Sequence, residues 1–170
     1  LEAAGNRNRL VRLADGVPPI AGFGFQNIPD YPMFGLWWPG LVGFADANGD
    51  GAISPDEVEV TSEAVFHGST VPTRNLAANT SLALFNNRVR VGAQVDYRGG
   101  YVTHNVNDMF MCAFQVNCRA LHDPTASLEE QAAAIAGPMA FGAYAQNAEH
   151  VRLREASITY TLSNTLARSL

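Results

Sequence analysis

The stretch Leu76-Ala77-Ala78-Asn79-Thr80-Ser81-Leu82-Ala83-Leu84-Phe85-Asn86-Asn87-Arg88-Val89-Arg90-Val91-Gly92-Ala93-Gln94-Val95-Asp96-Tyr97-Arg98-Gly99-Gly100-Tyr101 decides the fold. In its second half Val89, Val91, Ala93, Val95 and Tyr97 occupy alternate positions, with Arg88, Arg90, Gln94, Asp96 and Arg98 between them. A period of two marks a strand whose two faces meet different surroundings. Leu76, Ala78, Leu82 and Leu84 give the first half a similar apolar edge, interrupted by polar Thr80. Phe85-Asn86-Asn87-Arg88 joins the halves, and paired asparagines accept the positive φ of a tight turn. The prediction is a β-hairpin. Each arm is about the 9 to 11 residues that a tilted strand needs to cross a bilayer. A half-exposed soluble sheet gives the same alternation. Large charged side chains on the polar face suit a wet barrel lumen, with the valines toward lipid. The expected class is all-β, and the alternation by itself leaves a barrel wall and a half-exposed soluble sheet both open.

Outward from the hairpin, Val151 to Leu162 repeats its logic, with Ala156, Ile158, Tyr160 and Leu162 on one face and Ser157, Thr159 and Thr161 on the other. Residues 124 to 138 hold the one convincing helix. Ser127 and Glu130 form a capping box, Gly137-Pro138 stops it, and Leu128, Ala132 and Ile135 share a side. Toward the N-terminus, Asn6 to Leu13 reads as a short polar strand closed by Asp15-Gly16 and Pro18-Pro19. From Ala21 to Gly43 the chain is rich in Gly, Pro and aromatics without a sustained period, which predicts a long structured loop. There is no close internal repeat and no low-complexity tract. The chain opens at Leu1 with no leader-like segment, and Asn164 to Leu170 stop in mid-pattern, so a piece of a longer protein is expected.

Composition narrows the function classes. Eleven basic residues, all Arg, against sixteen acidic ones give a net charge of -5 over 170 residues, with no basic block. A nucleic-acid grip needs a concentrated basic face, so nucleic acid is not an expected partner. With 47% hydrophobic residues the chain can build a core, and with only 16% charged residues it is no coiled coil. No apolar run approaches the 18 or so residues of a membrane-spanning helix, so any crossing is made by strands.

Residues 44 to 63 collect Asp46, Asp50, Asp56, Glu57, Glu59 and Glu63 with no Arg among them. Asp46-Ala47-Asn48-Gly49-Asp50-Gly51-Ala52-Ile53-Ser54-Pro55-Asp56-Glu57 matches the twelve-position EF-hand loop at each diagnostic place. Calcium takes six to eight oxygens, which a loop supplies only by wrapping around the ion. The expected ligands are Asp46, Asn48, Asp50, the Ala52 carbonyl, Ser54 and Glu57, with Gly51 at the reversal and Ile53 as apolar anchor. The competing reading is an Asx-rich turn that binds nothing. Pro39, Gly40 and Gly43 exclude a preceding helix, and Glu57 to Thr61 alternates like a strand. The expectation is an EF-hand-like structural staple that folds with its Ca2+, of affinity as weak as about 10⁻⁴ to 10⁻³ M.

Cys112 and Cys118 enclose five residues, a spacing open to a small looped disulfide or to two buried thiols; an oxidising compartment favours the bridge. His67, His104, His122 and His150 show no ligand spacing and read as packing or surface residues. No nucleophile elbow, phosphate loop or dinucleotide fingerprint is present, so enzymatic activity is not expected.

Tyr31-Pro32-Met33-Phe34-Gly35-Leu36-Trp37, the acidic loop from Ala45 to Glu57, Pro72-Thr73-Arg74 and Val95-Asp96-Tyr97-Arg98-Gly99-Gly100-Tyr101 come in a characteristic order. Asn117-Cys118-Arg119, Asp123-Pro124-Thr125-Ala126 and Val151-Arg152-Leu153-Arg154-Glu155-Ala156-Ser157-Ile158-Thr159-Tyr160 continue it. In this order the chain, over residues 1–170, resembles the C-terminal barrel region of SusC/RagA-type TonB-linked outer-membrane receptors. The resemblance implies a fragment of a transmembrane antiparallel β-barrel of meander strands with long extracellular loops, the whole barrel having about 22 strands and an N-terminal plug, energised through the TonB complex and importing glycans or peptides. Its partners would be outer-membrane lipids, the remaining barrel strands and plug, TonB through the plug, and a surface lipoprotein. The short Asn86-Asn87 turn then faces the periplasm, and segments 15 to 70 and 102 to 150, calcium loop included, lie outside the cell. Trp37 and Trp38, with Tyr31 and Phe34, are candidates to stack on sugar rings at the mouth, against the alternative of aromatic belt or loop packing. The rival function is a secreted, soluble calcium-binding β module with a structural or interaction role, whose sheet packs on its own loops.

Overall fold

The computed structural model describes residues 1–162, so the expectation for Asn164 to Leu170 lies outside the described residues. The strands are β1 (Glu2–Gly5), β2 (Ile20–Ala21), β3 (Phe25–Asn27), β4 (Gly35–Trp38), β5 (Leu41–Phe44), β6 (Val58–Val60), β7 (Val65–Ser69), β8 (Arg74–Leu84), β9 (Val89–Gly99), β10 (Val102–His104), β11 (Ala145–Asn147) and β12 (His150–Tyr160). The α-helical segments are α1 (Val106–Met109), α2 (Arg119–His122) and α3 (Leu128–Ala136), with a π-helical turn over Phe110–Phe114 and 3-10 turns at Pro55–Glu57 and Phe141–Tyr144. About 40% of the chain is strand and its sheets are antiparallel, so the all-β class holds. The chain divides into two compact units, Leu1–Asn6 with Pro72–Gly100 and the segment from Glu149, and Arg7–Val71 with Tyr101–Ala148.

The first unit is one four-stranded sheet in the order β1-β8-β9-β12. The predicted hairpin is its centre, in unbroken register from Arg74 opposite Gly99 to Leu84 opposite Val89. Three residues of the turn, Phe85, Asn86 and Asn87, take positive φ of 52°, 55° and 65°. Asn tolerates that region; Phe pays steric strain there. On β12 the register slips between Leu153 and Glu155. That bulge at Arg154 is why odd-numbered Val151 and Leu153 share a face with even-numbered Ala156, Ile158 and Tyr160. Residues directly opposite in an antiparallel ladder share a face. One face therefore carries Leu76, Leu82 and Leu84, Val89 to Tyr97 in alternation, and Val151, Leu153, Ile158 and Tyr160, with polar Thr80 in its middle and Arg74 at its end. The other carries Asn75, Asn79, Arg90, Gln94, Asp96, Arg98, Arg152, Glu155 and Thr159, and Arg154 reaches Asp96 in an ion pair there.

Among the described residues, none of the buried hydrophobic ones lies in this unit. Ile158 is 77% and Leu82 60% exposed. A Leu or Ile left in water forgoes roughly 1.5–3 kcal/mol of burial free energy, so an apolar face of this extent is a surface made to be covered.

The strand expected over Asn6 to Leu13 is instead β1, four residues earlier in its start. Its ladder on β8 ends where the Asn6 N–H donates to the Thr73 carbonyl, and beyond it Leu10 exchanges backbone bonds with Asp30 and Tyr31.

The second unit holds the buried residues. β2, β3, β4 and β7 form a small sheet, and β5–β6 and β10–β11 are separate two-stranded pairs. The region expected as a structured loop from Ala21 to Gly43 thus contains short strands of two to four residues, too brief to show a period. The helix expected over 124 to 138 is α3, with the Ser127–Glu130 capping box in place. Its buried face is Gln131, Ala132, Ala134 and Ala136. A cluster of Met109, Cys112, Ala134 and Tyr144 forms the core of the helical part, flanked by Leu121 and Phe141.

Candidate calcium site

The acidic loop closes the β5–β6 hairpin rather than joining two helices, as Pro39, Gly40 and Gly43 foretell. The Ala45 N–H donates to the Glu57 carbonyl at 3.1 Å and holds the two ends together. Within the loop Asp46 is the hub. Its Oδ1 accepts from the N–H groups of Gly49 (2.7 Å) and Asp50 (3.1 Å), and its Oδ2 from Gly51 (2.9 Å). Gly49 and Gly51 sit at φ of 73° and 81°, where a side chain would be strained, so the tight wrap depends on glycine at both positions. Asn48 Oδ1 accepts from the Asp50 N–H at 2.9 Å, and Asp50 Oδ1 from the Ala52 N–H at 2.8 Å.

Glu57 closes the loop from its far end. Oε1 accepts from the N–H of Ala47 (2.9 Å) and Asn48 (3.3 Å), and Oε2 from the N–H and hydroxyl of Ser54, each at 2.9 Å. The Ser54 backbone bond, then its hydroxyl, hold the Glu57 carboxyl below its ordinary 4.5 and keep it ionised.

The predicted ligands fit calcium in kind. Five side chains and the Ala52 carbonyl offer oxygen only, the donor a hard ion requires, on a loop whose backbone reverses at Gly51. Their carboxylates are turned onto backbone N–H groups. Among the described residues no three His, Cys, Asp or Glu side chains gather around one point as a ready-made metal cage. An open cleft of about 580 Å³ beside the loop is lined by Asn48, Asp56, Glu57 and Glu59, an acidic approach for a cation.

One residue of the loop's surroundings escaped the sequence reading. Ile53 is 6% exposed, and its N–H donates to Gln131 Oε1 at 3.0 Å. Gln131 Nε2 in turn donates to the Gly51 carbonyl at 3.3 Å and to the Ala126 carbonyl at 3.0 Å. The available signal was a polar residue on the helix side shared by Leu128 and Ile135, a position that obliges it to find partners.

The other candidate residues lie apart from the loop's donors. Cys112 and Cys118 are bridged with Cα atoms 5.0 Å apart, which settles the choice between bridge and thiols for the bridge. Trp37 is 8% exposed, with Tyr31 edge-on at 4.7 Å and Phe66 tilted at 5.2 Å between ring centres. It is a core residue whose ring packs inside the protein rather than presenting a stacking face. Trp38 meets the edges of Phe23 and Phe141 at 5.0 and 5.1 Å. His67 and His104 bond the carbonyls of Trp38 and Phe141, and His122 that of Val116, which accounts for three of the four histidines by packing. Comparison with known protein families, with curated proteins and with solved structures finds no match.

Proposed function

We propose that this chain is part of an outer-membrane TonB-dependent importer of glycans or peptides, supplying wall strands to the barrel and a calcium-stiffened extracellular loop. The two-faced sheet carries the reading. β8, β9 and β12 are eleven residues each, which at about 3.4 Å per residue and a tilt near 45° rises about 26 Å, the height of a barrel's apolar band. Tyr97 marks one end of the apolar face and Tyr160, opposite Val89, the other. Aromatic rings at both limits of an apolar band are what two membrane interfaces favour.

Orientation follows from chain path. The strands meet at the short turn on one end, while Gly5, Arg74, Gly99 and His150 stand at the other, where every long connecting segment leaves the sheet. Long loops face outward in such barrels, and on this reading the Asp46–Glu57 loop and the Cys112–Cys118 bridge lie on the extracellular side. There the loop's residues would hold Ca2+ as a structural ion, which offsets most of the negative charge of Asp46, Asp50 and Glu57.

The soluble secreted module is the weaker reading because the described residues of the sheet's own unit leave Val91, Leu153 and Ile158 exposed, and the barrel gives that apolar face a lipid partner. Fractionation of the full gene product tests the choice. Recovery in the outer membrane, released only by detergent, is expected; a freely soluble product would overturn the importer reading.

A further inference from the structure

A buried amide ties the acidic loop to the helical core. Gln131 is 5% exposed on the face of α3 that otherwise buries only alanines. Its three bonds fix its orientation, because one partner is an N–H and two are carbonyls: Oε1 must face Ile53, and the NH₂ must face Gly51 and Ala126. Two of these partners, Gly51 and Ile53, stand on either side of Ala52, whose carbonyl is the one backbone ligand expected in the loop. The side chain thus supplies one acceptor and one donor to the backbone on either side of Ala52, just past the reversal at Gly51. Three residues further along the helix, Ala134 belongs to the cluster that holds Cys112 and Tyr144.

We propose that Gln131 is the positioning residue for the Ala52 carbonyl, so that calcium binding in the Asp46–Glu57 loop is coupled through this one side chain to the order of α3. The proposal rests on the calcium reading of the loop. Coupling between ion and helix is reciprocal: whatever steadies α3 tightens calcium, and calcium steadies α3. A glutamate in its place would keep the Ile53 bond but set an oxygen against two carbonyls, and a methionine would fill the space with no bond at all.

The test uses the full-length gene product in detergent with calcium alone as probe, titrated calorimetrically and followed by hydrogen exchange. In the parent chain, calcium is expected to slow exchange both in residues 46–57 and in 128–136. Gln131→Met should bind calcium about tenfold more weakly, equivalent to about 1.4 kcal/mol. At saturating calcium its loop should still slow while α3 no longer responds, a loss that a purely structural role would not produce. Gln131→Glu should behave likewise, and serves if the methionine variant fails to keep its helical circular dichroism. Calcium affinity within twofold of the parent, or persistent slowing of α3 in either folded variant, would overturn the role of Gln131 alone. A parent chain that ignores calcium at 10 mM, roughly ten times the weakest expected dissociation constant, would overturn the calcium reading and this inference with it.

Discussion

Two substitutions one residue apart separate a membrane wall from a soluble sheet. Ala156 lies opposite Ala93 near the middle of the apolar face, and Ser157 lies opposite Gly92 on the polar face. An arginine on the lipid face of a barrel at mid-depth costs about 2–4 kcal/mol, whereas one on the lumen face is tolerated. On a water-exposed sheet either change stays within about 0.5 kcal/mol. On the barrel reading, Ala156→Arg in the full-length gene product should therefore lower the folded, heat-modifiable fraction in outer membranes by roughly 30- to 1000-fold in its equilibrium constant. Ser157→Arg, which has only the hydrogen of Gly92 across from it, should leave that fraction nearly unchanged. Semi-denaturing electrophoresis of outer-membrane fractions, with and without heating, reads both. Equal effects from the two arginines, or none from Ala156→Arg, would refute the assignment of faces.

The loop's order should depend on pH with a defined sign. Glu57 is held below its ordinary 4.5, so its contribution is present above that value and is lost as pH falls through the lower folded-state value; protease resistance of residues 46–57 should fall over that window, and Glu57→Gln should abolish calcium protection at neutral pH. The bridge closes a small loop, and the chain-entropy relation gives about 2 kcal/mol for it. Reduction should lower the denaturant midpoint of the helical part accordingly, while two thiols freely alkylated in native protein would contradict the bridge. Trp37→Ala should destabilise the protein by about 3–5 kcal/mol, as loss of a buried ring does; unchanged thermal stability with impaired ligand uptake would instead restore a stacking role for it.

Legibility followed the range of the interactions. The β8–β9 hairpin is written in one continuous stretch and the helix cap in the short run from Ser127 to Glu130, so alternation and spacing expose them. The face of β12 was half legible: Ala156, Ile158 and Tyr160 alternate, but the bulge at Arg154 brings Val151 and Leu153 round to the same side, and only pairing with β9 reveals it. The acidic loop is local too, and its donors sit on one hairpin as the spacing implies. Gln131 is separated from Ile53 by 78 residues, and no local pattern joins them. The short helices between Val106 and His122 were missed for a related reason. They are four residues long, joined by a π-helical turn, and held by the bridge and the Met109–Tyr144 cluster rather than by helix propensity.

The most direct test of the central claim is the accessibility of spin labels placed singly at Arg90, Val91, Ile158 and Thr159 in native outer membranes. Labels at Val91 and Ile158 should collide with oxygen dissolved in lipid and not with a water-soluble nickel chelate, while those at Arg90 and Thr159 should show the reverse. Chelate access to all four positions, or a Val91 label sealed from both reagents inside a packed core, would contradict the account.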